Sequence, residues 1–206
     1  MESLRGTKPL PALLLASQSP RRKQILGSLG LSFSAREPNI QEDHPHALNI
    51  EKILVENARK KALDVAGFVT SETDVVVAAD TLVLIGEQVV GKPKSIAEAR
   101  EMLTRFSGNT QTVISGLALF SPFFGQRCSS ERSQVHFYKL SPQEIEDYLM
   151  TKEPYDKAGA YAVQGLGALF VERVVGSYTN VMGFPIELFL RELFELTEIP
   201  LYRWFQ

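Results

Sequence analysis

Two adjacent arginines follow the first apolar run of the sequence. Arg21 and Arg22 come directly after the polar turn "SQSP", residues 17–20. Ser19 can cap a helix whose first residue is Pro20, which places both arginines in the first helical turn, beside backbone N–H groups that lack intrahelical partners. Arginine binds phosphate oxygens through paired hydrogen bonds. We therefore expect this turn to bind an anion such as a phosphate group.

A carboxylate follows the most hydrophobic strand of the sequence. Asp80 ends the run "VVVAAD", and an ionised carboxylate is costly to bury unless it faces a cleft or a cation. Such a position suits a metal ligand or a general base. An equally simple interpretation is that Asp80 caps the turn together with Thr81. The residues alone leave these two interpretations open.

The polar loop "EDHPH" is a second source of metal ligands. It contains Glu42, Asp43, His44 and His46. Carboxylates suit a hard ion such as Mg²⁺, whereas paired histidines suit zinc or nickel. Because the spacing matches no strong zinc pattern, we expect the two histidines to belong to a mobile polar loop.

Three lysines could meet an anion. Lys92 follows Gly91 in "GKP", where it could contact a phosphate as a point charge, although a lysine in a turn is usually a surface residue. Lys60 and Lys61 lie on a predicted helix, and their spacing alone favours solvated side chains.

Glycines are concentrated in residues 156–185, where they alternate with polar side chains. This composition is typical of backbone that approaches a ligand, but sheet corners also use glycine. Gln164 carries a paired donor and acceptor that could bind the edge of a planar heterocycle. For His136 we expect a structural place in a strand, and for Cys128 an unreactive loop thiol. The common P-loop, dinucleotide-binding, zinc-protease and serine-hydrolase motifs are absent.

Alternating strands and helices must position these residues. The run "VVVAA" is apolar on both faces and predicts the central strand of a sheet covered by helices. Further strands are predicted at 13–16, 31–35, 112–120 and 133–140, with a polar connection between the last two and a hairpin turn at 85–88. Helices are predicted at 20–30, 50–67, 95–106, 142–150 and 185–196, with capping boxes at Ser95/Glu98 and Ser141/Glu144. The pattern predicts an α/β fold with a mixed sheet and one cleft fed by several loops.

Composition excludes several classes of protein. The 206 residues favour a single domain over 1–206, with residues 1–11 as a flexible extension. A net charge of -2 provides no basic field for a nucleic-acid polymer, so an anionic ligand must meet a local cluster of cations. The apolar stretches are too short to span a membrane, and a single cysteine fits a reducing compartment. We expect a cytoplasmic protein that has no membrane partner.

Four separated segments together resemble the Maf family of nucleoside triphosphate pyrophosphatases. They are "LLLASQSPRRKQIL", "VVVAADTLV", "GKPKSIAEAREMLTRFSG", and "DKAGAYAVQG" through "SYTNVMGFP". The resemblance runs in order from Leu13 to Leu188. It implies a two-lobed mixed α/β fold related to the inosine triphosphatase group, a divalent metal cofactor (Mg²⁺ or Mn²⁺), and cleavage of a nucleoside triphosphate to the monophosphate and pyrophosphate. Family members are often dimers, so the resemblance also implies a homodimer.

The resemblance also implies roles for individual residues. Asp80 corresponds to the proposed proton acceptor and metal-associated aspartate, and Glu42 to a second acidic metal ligand. The residues that correspond to phosphate contacts are Ser17, Arg21, Arg22, Lys61 and Lys92.

Substrate choice in the family follows the residues at Arg21, Thr81 and Gln164. These positions are similar to the branch that acts on dTTP and UTP, with modified pyrimidine triphosphates as further substrates, and they differ from the branch that acts on 7-methyl-GTP. Gln111 and Ser115 stand where the family commonly has histidine and threonine.

The alternative function is a nucleotide-binding regulator of cell division that does not turn its ligand over.

Overall fold

The most hydrophobic strand of the sequence lies at the centre of the structure. In the computed structural model, which describes residues 10–43 and 49–205, this strand is β3, Val75–Ile85. Nearly all of its residues are buried, as the sequence predicts. All but the last two residues of the predicted extension 1–11 lie outside the described residues, and so do His44 and His46.

The described residues form one sheet with helices on both faces. The other strands are β1 (Leu13–Ala16), β2 (Phe33–Arg36), β4 (Gln88–Val90), β5 (Thr110–Ser121), β6 (Gly125–Phe137) and β7 (Val171–Val175). The α-helices are α1 (Pro20–Gly27), α2 (Ile50–Ala66), α3 (Ile96–Phe106), α4 (Pro142–Leu149), α5 (Tyr178–Met182) and α6 (Ile186–Thr197). Short 3₁₀ turns lie at Glu153–Asp156, Ala158–Ala160, Leu166–Phe170 and Leu201–Trp204.

The sheet is mixed, which confirms the predicted α/β class. Its strand order is β2-β1-β3-β5-β6-β7, and β4 pairs with β3 as a hairpin. β1 runs parallel to both β2 and β3, whereas the other pairs are antiparallel. The parallel strands belong to the strand–helix units at the start of the chain, whereas β3–β4 and β5–β6 are antiparallel hairpins.

One face of the sheet packs against α2. Successive side chains of a strand point to opposite faces, so alternate residues of β3 meet this helix. Two apolar clusters form there. The first contains Ala58, Ala62, Val65, Val76, Ala78 and Ala118. The second contains Ile50, Leu54, Leu82, Leu84 and Ile114. Asp80 lies on this face between the two clusters.

The other face carries two larger apolar cores. The first packs the early half of β3 against α1 and α6. The second packs the end of β3 against α3 and α4. Thr81 of β3 and its partner Ser115 of β5 lie between these cores. A single sheet therefore supports two lobes, with polar residues on the sheet surface between them.

A glycine allows α2 to approach the sheet. Gly116 of β5 pairs with Asp80, and a Cβ atom at Gly116 would lie 2.3 Å from the carbonyl carbon of Leu54. Because Gly116 has no side chain, the backbone of α2 lies directly against β5 at this position. This close contact brings the polar side chains of α2 to Asp80.

Asp74 ties the loop before β3 to the first strand. Its carboxylate accepts hydrogen bonds from the backbone N–H groups of Ala12, Thr70 and Ser71 and from the Thr70 hydroxyl, at 3.0 to 3.2 Å. Burial opposes ionisation, but these donors hold the pKa of Asp74 below its ordinary value. The carboxylate therefore stabilises the folded chain while it is ionised.

The predicted polar connection between the strands at 112–120 and 133–140 is wrong. β5 and β6 meet in a short turn at 122–124, and β6 begins at Gly125. The sequence hid the first part of this strand because none of residues 125–132 is buried, so they form an almost continuous polar run. Cys128 consequently lies in a strand and not in a loop. Partial burial of its sulfur raises the pKa of the thiol, which agrees with an unreactive cysteine.

The predicted helix signals are mostly confirmed. Ser19 caps α1, and Ser141 with Glu144 forms a complete capping box on α4. Ser95 caps α3, but the Glu98 carboxylate accepts from the N–H of Lys94 and not from that of Ser95. The first helix ends at Gly27, three residues before the predicted stop at Gly30. Gly30 has a φ of 75° and lies in the turn that follows the helix.

Candidate functional site

The candidate site lies where one edge of β3 has no neighbouring strand. On that edge β1 pairs with β3 as far as Val77, and β4 begins to pair at Val83. β5 covers the other edge without interruption. Among the described residues, no strand pairs with this edge beside Asp80 and Thr81. The two side chains point to opposite faces of the sheet, yet both lie at this gap.

A large cavity lies on the Thr81 side of the gap. Its volume is about 730 Å³. Five predicted site residues line it: Arg21, Arg22, Thr81, Lys92 and Gln164. Apolar wall residues include Val83, Val113, Ala162, Val163 and Met182. The cavity therefore combines cations with an apolar surface that could pack against a planar ring.

A smaller cavity of about 270 Å³ adjoins the first. It is lined by Ser17, Glu42 and Lys61, and it shares Gln18, Ser19 and Arg22 with the larger cavity. The start of α1 thus separates the two spaces. The structure brings every predicted phosphate or metal residue to one of these cavities, except for Asp80, which lies behind Lys61.

The turn before α1 is held by two serines. The Ser17 hydroxyl accepts from the N–H of Ser19 at 3.1 Å, and the Ser19 hydroxyl accepts from the N–H of Arg22 at 3.4 Å. This turn directs the first residues of α1 into both cavities. The helix N-terminus adds a partial positive charge at the same place.

Arg22 lies between the two cavities. Its Nε atom donates to the Gly183 carbonyl at 3.0 Å, and one terminal nitrogen donates to the Thr81 hydroxyl at 3.4 Å. Burial lowers the pKa of the Arg22 guanidinium, while the carboxylates of Asp80 and Glu42 oppose that change and Arg21 adds to it. Arginine stays protonated near neutral pH despite such a shift. Arg22 therefore carries a fixed positive charge between the cavities.

The Thr81 hydroxyl is fully occupied by protein groups. It donates to the Gly183 carbonyl at 3.2 Å and accepts from Arg22. Its 2.7 Å contact with Ser115 must then have Ser115 as donor, because a hydroxyl has one proton and two acceptor positions. Thr81 can therefore influence a ligand by holding Arg22 and the backbone of Gly183.

Lys61 joins the two candidate metal ligands. Its Nζ atom lies 2.8 Å from Asp80 Oδ1 and 2.6 Å from Glu42 Oε1. Lys61 and Asp80 are only 5% and 8% exposed, whereas the Glu42 side chain is half exposed. The prediction of a solvated Lys61 is wrong, because the close approach of α2 to the sheet buries this side chain. Lys60 is less buried and pairs with Asp43 at 2.6 Å.

Asp80 does not cap a turn. It lies in the middle of β3, which continues for five residues beyond it, so the capping interpretation is wrong. Its second oxygen, Oδ2, accepts from the Asn57 side chain at 2.9 Å. An ion pair and an amide donor thus hold a buried carboxylate, the arrangement that burial of a charge requires.

The glycine-rich segment is mainly architectural. A Cβ atom would lie within 3 Å of other protein atoms at Gly159, Gly165 and Gly167. Gly183 differs, because a Cβ atom there would meet nothing within 4 Å. It lines the larger cavity with a φ of 107°, and its carbonyl accepts from Arg22 and Thr81. Gln164, in the same segment, is exposed and lines this cavity as well.

Asp156 and Lys157 form a pair on the wall of the larger cavity. Lys157 Nζ donates to Asp156 Oδ1 at 2.5 Å and to the Glu153 carbonyl at 3.0 Å. The hydrogen bond from Lys157 lowers the pKa of Asp156, and the charge of Arg21 adds to this effect.

His136 lies in β6, as predicted, and its Nδ1 atom shares a 2.8 Å hydrogen bond with the Thr110 hydroxyl.

The donor set can be compared with the needs of a divalent metal. Within the described residues, no group of three or more His, Cys, Asp or Glu residues could hold a metal ion. Glu42 and Asp80 nevertheless come together through Lys61. Mg²⁺ commonly binds one or two carboxylates and completes its coordination with water and substrate phosphates. The two carboxylates therefore fit a metal that binds together with a nucleotide.

Sequence reasoning missed Asn57 and underrated Ser115. Asn57 lies four residues before Lys61, so the two share one face of α2. A polar residue on the buried face of a helix was the available signal. Ser115 was noted only as a replacement, and its position opposite Thr81 required the strand register.

The fold and the cavities define a mixed α/β protein with a cation-lined cleft and two acidic residues joined by a buried lysine. Residues 12–196 match the family described as Maf-like protein, and the chain belongs to that family. It is 41% identical over 182 residues to a dTTP/UTP pyrophosphatase of Halalkalibacterium halodurans, covering 88% of this chain and 94% of the relative. It is 42% identical over 181 residues to a dTTP/UTP pyrophosphatase of a Geobacillus species, covering 88% and 96%.

Solved structures resemble this chain more distantly. The Ham1 protein of Staphylococcus aureus matches with a TM-score of 0.43 and 15% identity, over 61% of this chain and 71% of that one. In residues 10–43 and 49–205, the helices are too short or too polar to cross a membrane.

Proposed function

We propose that this chain hydrolyses dTTP and UTP to the nucleoside monophosphate and pyrophosphate. The observation that carries the proposal is the cluster of the buried Lys61 and Asp80 with the half-exposed Glu42, which adjoins a larger cation-lined cavity through Arg22. Relatives that share about two fifths of their residues and nearly their whole length bear the name dTTP/UTP pyrophosphatase. Their similarity supports the substrate.

The cations are arranged to bind a triphosphate. Arg21, Arg22 and Lys92 line the larger cavity, and Lys61 lines the smaller one. A chain with a net charge of -2 can hold such a polyanion only where its cations are concentrated. Arg22 lines both cavities, so the phosphates would pass beside it, with the nucleoside in the larger space. Gln164 is placed to bind the edge of the base.

Glu42 and Asp80 would hold a divalent metal, Mg²⁺ or Mn²⁺. When bound, the metal supplies positive charge to the phosphate oxygens and lowers the pKa of a coordinated water. Both residues provide the hard oxygen ligands that these ions prefer. Lys61 now neutralises the same two carboxylates, and its ammonium group could turn to a phosphate oxygen when the carboxylates bind another cation.

Asp80 lines neither cavity now, so it would orient the attacking water once Lys61 turns away from its Oδ1 atom. The water attacks the α-phosphorus, the bond from that phosphorus to the α–β bridging oxygen breaks, and the bridging oxygen leaves with pyrophosphate. Asp80 accepts the proton of the water, while Arg22 and Lys61 stabilise the charge that develops on the phosphate oxygens. Positioning and charge stabilisation supply most of the catalysis in such a transfer.

A substrate panel tests the proposal. Purified protein is incubated with Mg²⁺ or Mn²⁺ and with dTTP, UTP, 5-methyl-UTP, pseudouridine triphosphate and 7-methyl-GTP, and the products are separated by anion exchange. We expect pyrophosphate and the pyrimidine monophosphates, with label from ¹⁸O-water in the monophosphate. Orthophosphate as the first product, or label in pyrophosphate, would refute the proposed bond cleavage.

Two variants separate catalysis from folding. Asp80→Asn should strongly reduce turnover and leave the fold intact. Glu192→Gln is the matched control, because Glu192 is an equally buried carboxylate that pairs with Arg127 and Ser129, outside both cavities.

Tight nucleotide binding without turnover in the parent protein would instead favour a regulator of cell division. Dimerisation and a cytoplasmic location stay predictions.

A further inference from the structure

Asn57 is a buried amide at the centre of the candidate site. It is 2% exposed and lies in the middle of α2, on the face that packs against the sheet. Its Nδ2 group donates to Asp80 Oδ2 at 2.9 Å and to the Asp43 carbonyl at 3.0 Å. Its Oδ1 atom accepts from the Asp43 N–H at 2.9 Å. Both protons of the amide are therefore used.

These contacts fix the orientation of the amide. If the Asn57 amide were turned over, Oδ1 would face a carboxylate oxygen and a carbonyl oxygen, and Nδ2 would face an N–H group. All three contacts would become repulsive. The side chain therefore has one favourable orientation. In that orientation it binds the backbone of Asp43 in the way that a neighbouring strand would.

The same helix holds the rest of the segment that carries Glu42. Asp64 accepts from the Asn39 N–H at 2.8 Å, Lys60 pairs with the Asp43 carboxylate, and Lys61 pairs with Glu42. Among these, Asn57 is the side chain that binds both this segment and Asp80 while remaining buried and uncharged. It thus ties the two acidic residues together independently of Lys61.

Helix stability does not explain this residue. Asparagine has a lower helix propensity than alanine or leucine, and its neighbours on the buried face of α2, apart from Lys61, are apolar. An apolar side chain would suit both the helix and the core. The three hydrogen bonds to Asp43 and Asp80 are the tertiary contacts that account for an amide at this position.

We propose that Asn57 is a positioning residue that sets the separation and orientation of Glu42 and Asp80. This inference rests on the proposed function, in which those two carboxylates hold the metal and orient the water. The backbone of Asp43 and the carboxylate of Asp80 are bound to one rigid amide, so Glu42 is carried to a fixed place beside Asp80. Asn57 itself touches no substrate.

Asn57→Leu is the principal test, because leucine has a similar size and no hydrogen-bonding group. We expect kcat for dTTP to fall about 10- to 100-fold, as for residues that orient metal ligands, with KM nearly unchanged. Backbone amides of residues 39–43 should exchange with deuterium faster than in the parent protein. Asn57→Ala provides a second variant if leucine prevents folding.

Val65→Ala is the matched control. Val65 lies on the same helix, is fully buried in an apolar cluster and lines neither cavity. It should lower the melting temperature without changing kcat or the exchange of residues 39–43. A loss of kcat equal in both variants would show that general destabilisation of α2 is the cause.

The outcomes separate this inference from the proposed function. If the parent protein releases no pyrophosphate, the proposed function fails, and deuterium exchange alone then decides whether Asn57 holds the segment. If the parent is active, an Asn57→Leu variant with a normal kcat, whatever its KM, overturns the positioning role. Unchanged exchange at 39–43 overturns it in either case.

Discussion

Replacing Lys61 with methionine tests the physical basis of the site. Lys61 is 5% exposed, and its ammonium group pairs with two carboxylates at 2.6 and 2.8 Å. Methionine keeps most of the side-chain volume and removes the charge. Glu42 is half exposed and can turn to water, but Asp80 is 8% exposed and keeps only the Asn57 donor. The cost of Lys61→Met should therefore come mainly from Asp80.

The magnitude follows from this geometry. Removing one partner of a fully buried ion pair costs about 3 to 5 kcal/mol. The Asn57 hydrogen bond and the adjoining cavity reduce this, so we expect about 2 to 3 kcal/mol for Lys61→Met. In a chain of this length the melting temperature should fall by about 4 to 12 °C.

Unfolding at pH 7, followed by circular dichroism, measures the effect. Lys60→Met is the control, because Lys60 directly precedes Lys61 on the same helix. Its ion pair with Asp43 is more exposed and should contribute about 1 kcal/mol or less. Lys61→Met combined with Asp80→Asn should recover much of the lost stability, since no buried charge is then left unpaired. Equal losses for the two lysines, or strictly additive effects in the double variant, would refute the reasoning.

Three further predictions follow from other contacts. Arg21→Ala should change the ranking of pyrimidine triphosphates as substrates. Arg22→Ala removes a residue of both cavities and should raise KM for all of them. Identical substrate profiles for the two variants would contradict this division. Asp74→Ala should lower the free energy of unfolding by about 2 kcal/mol at pH 7. Because the folded state lowers the pKa of Asp74, the charge-dependent part of this difference is lost as the pH falls from about 4 through the lower pKa of the folded state, so the difference should shrink; a constant difference in urea titrations would contradict it. Gly116→Ala should lower the melting temperature far more than Gly91→Ala, whose added methyl group meets nothing within 4 Å; equal values would show that α2 can move away.

Much of the fold could be predicted because its signals are local. The run that forms β3 is apolar on both faces, the caps at Ser19 and Ser141 precede their helices, and the hairpin after Ile85 begins with a glycine. Each of these signals acts within a few residues. The first part of β6, residues 125–132, was missed because none of these residues is buried, so this stretch is as polar as a loop.

The site was predicted less completely because its geometry depends on distant pairs. The sequence determined the arginines at a helix start, an acidic residue in the most buried strand and, by resemblance, the family. Only the tertiary structure placed Asp80 and Thr81 on opposite faces and buried Lys61 and Asn57 against Asp80, 19 and 23 residues away. The physical reason is that helix caps and strand alternation arise from neighbouring residues, whereas the burial of a charge depends on which helix packs over which strand, and at what distance.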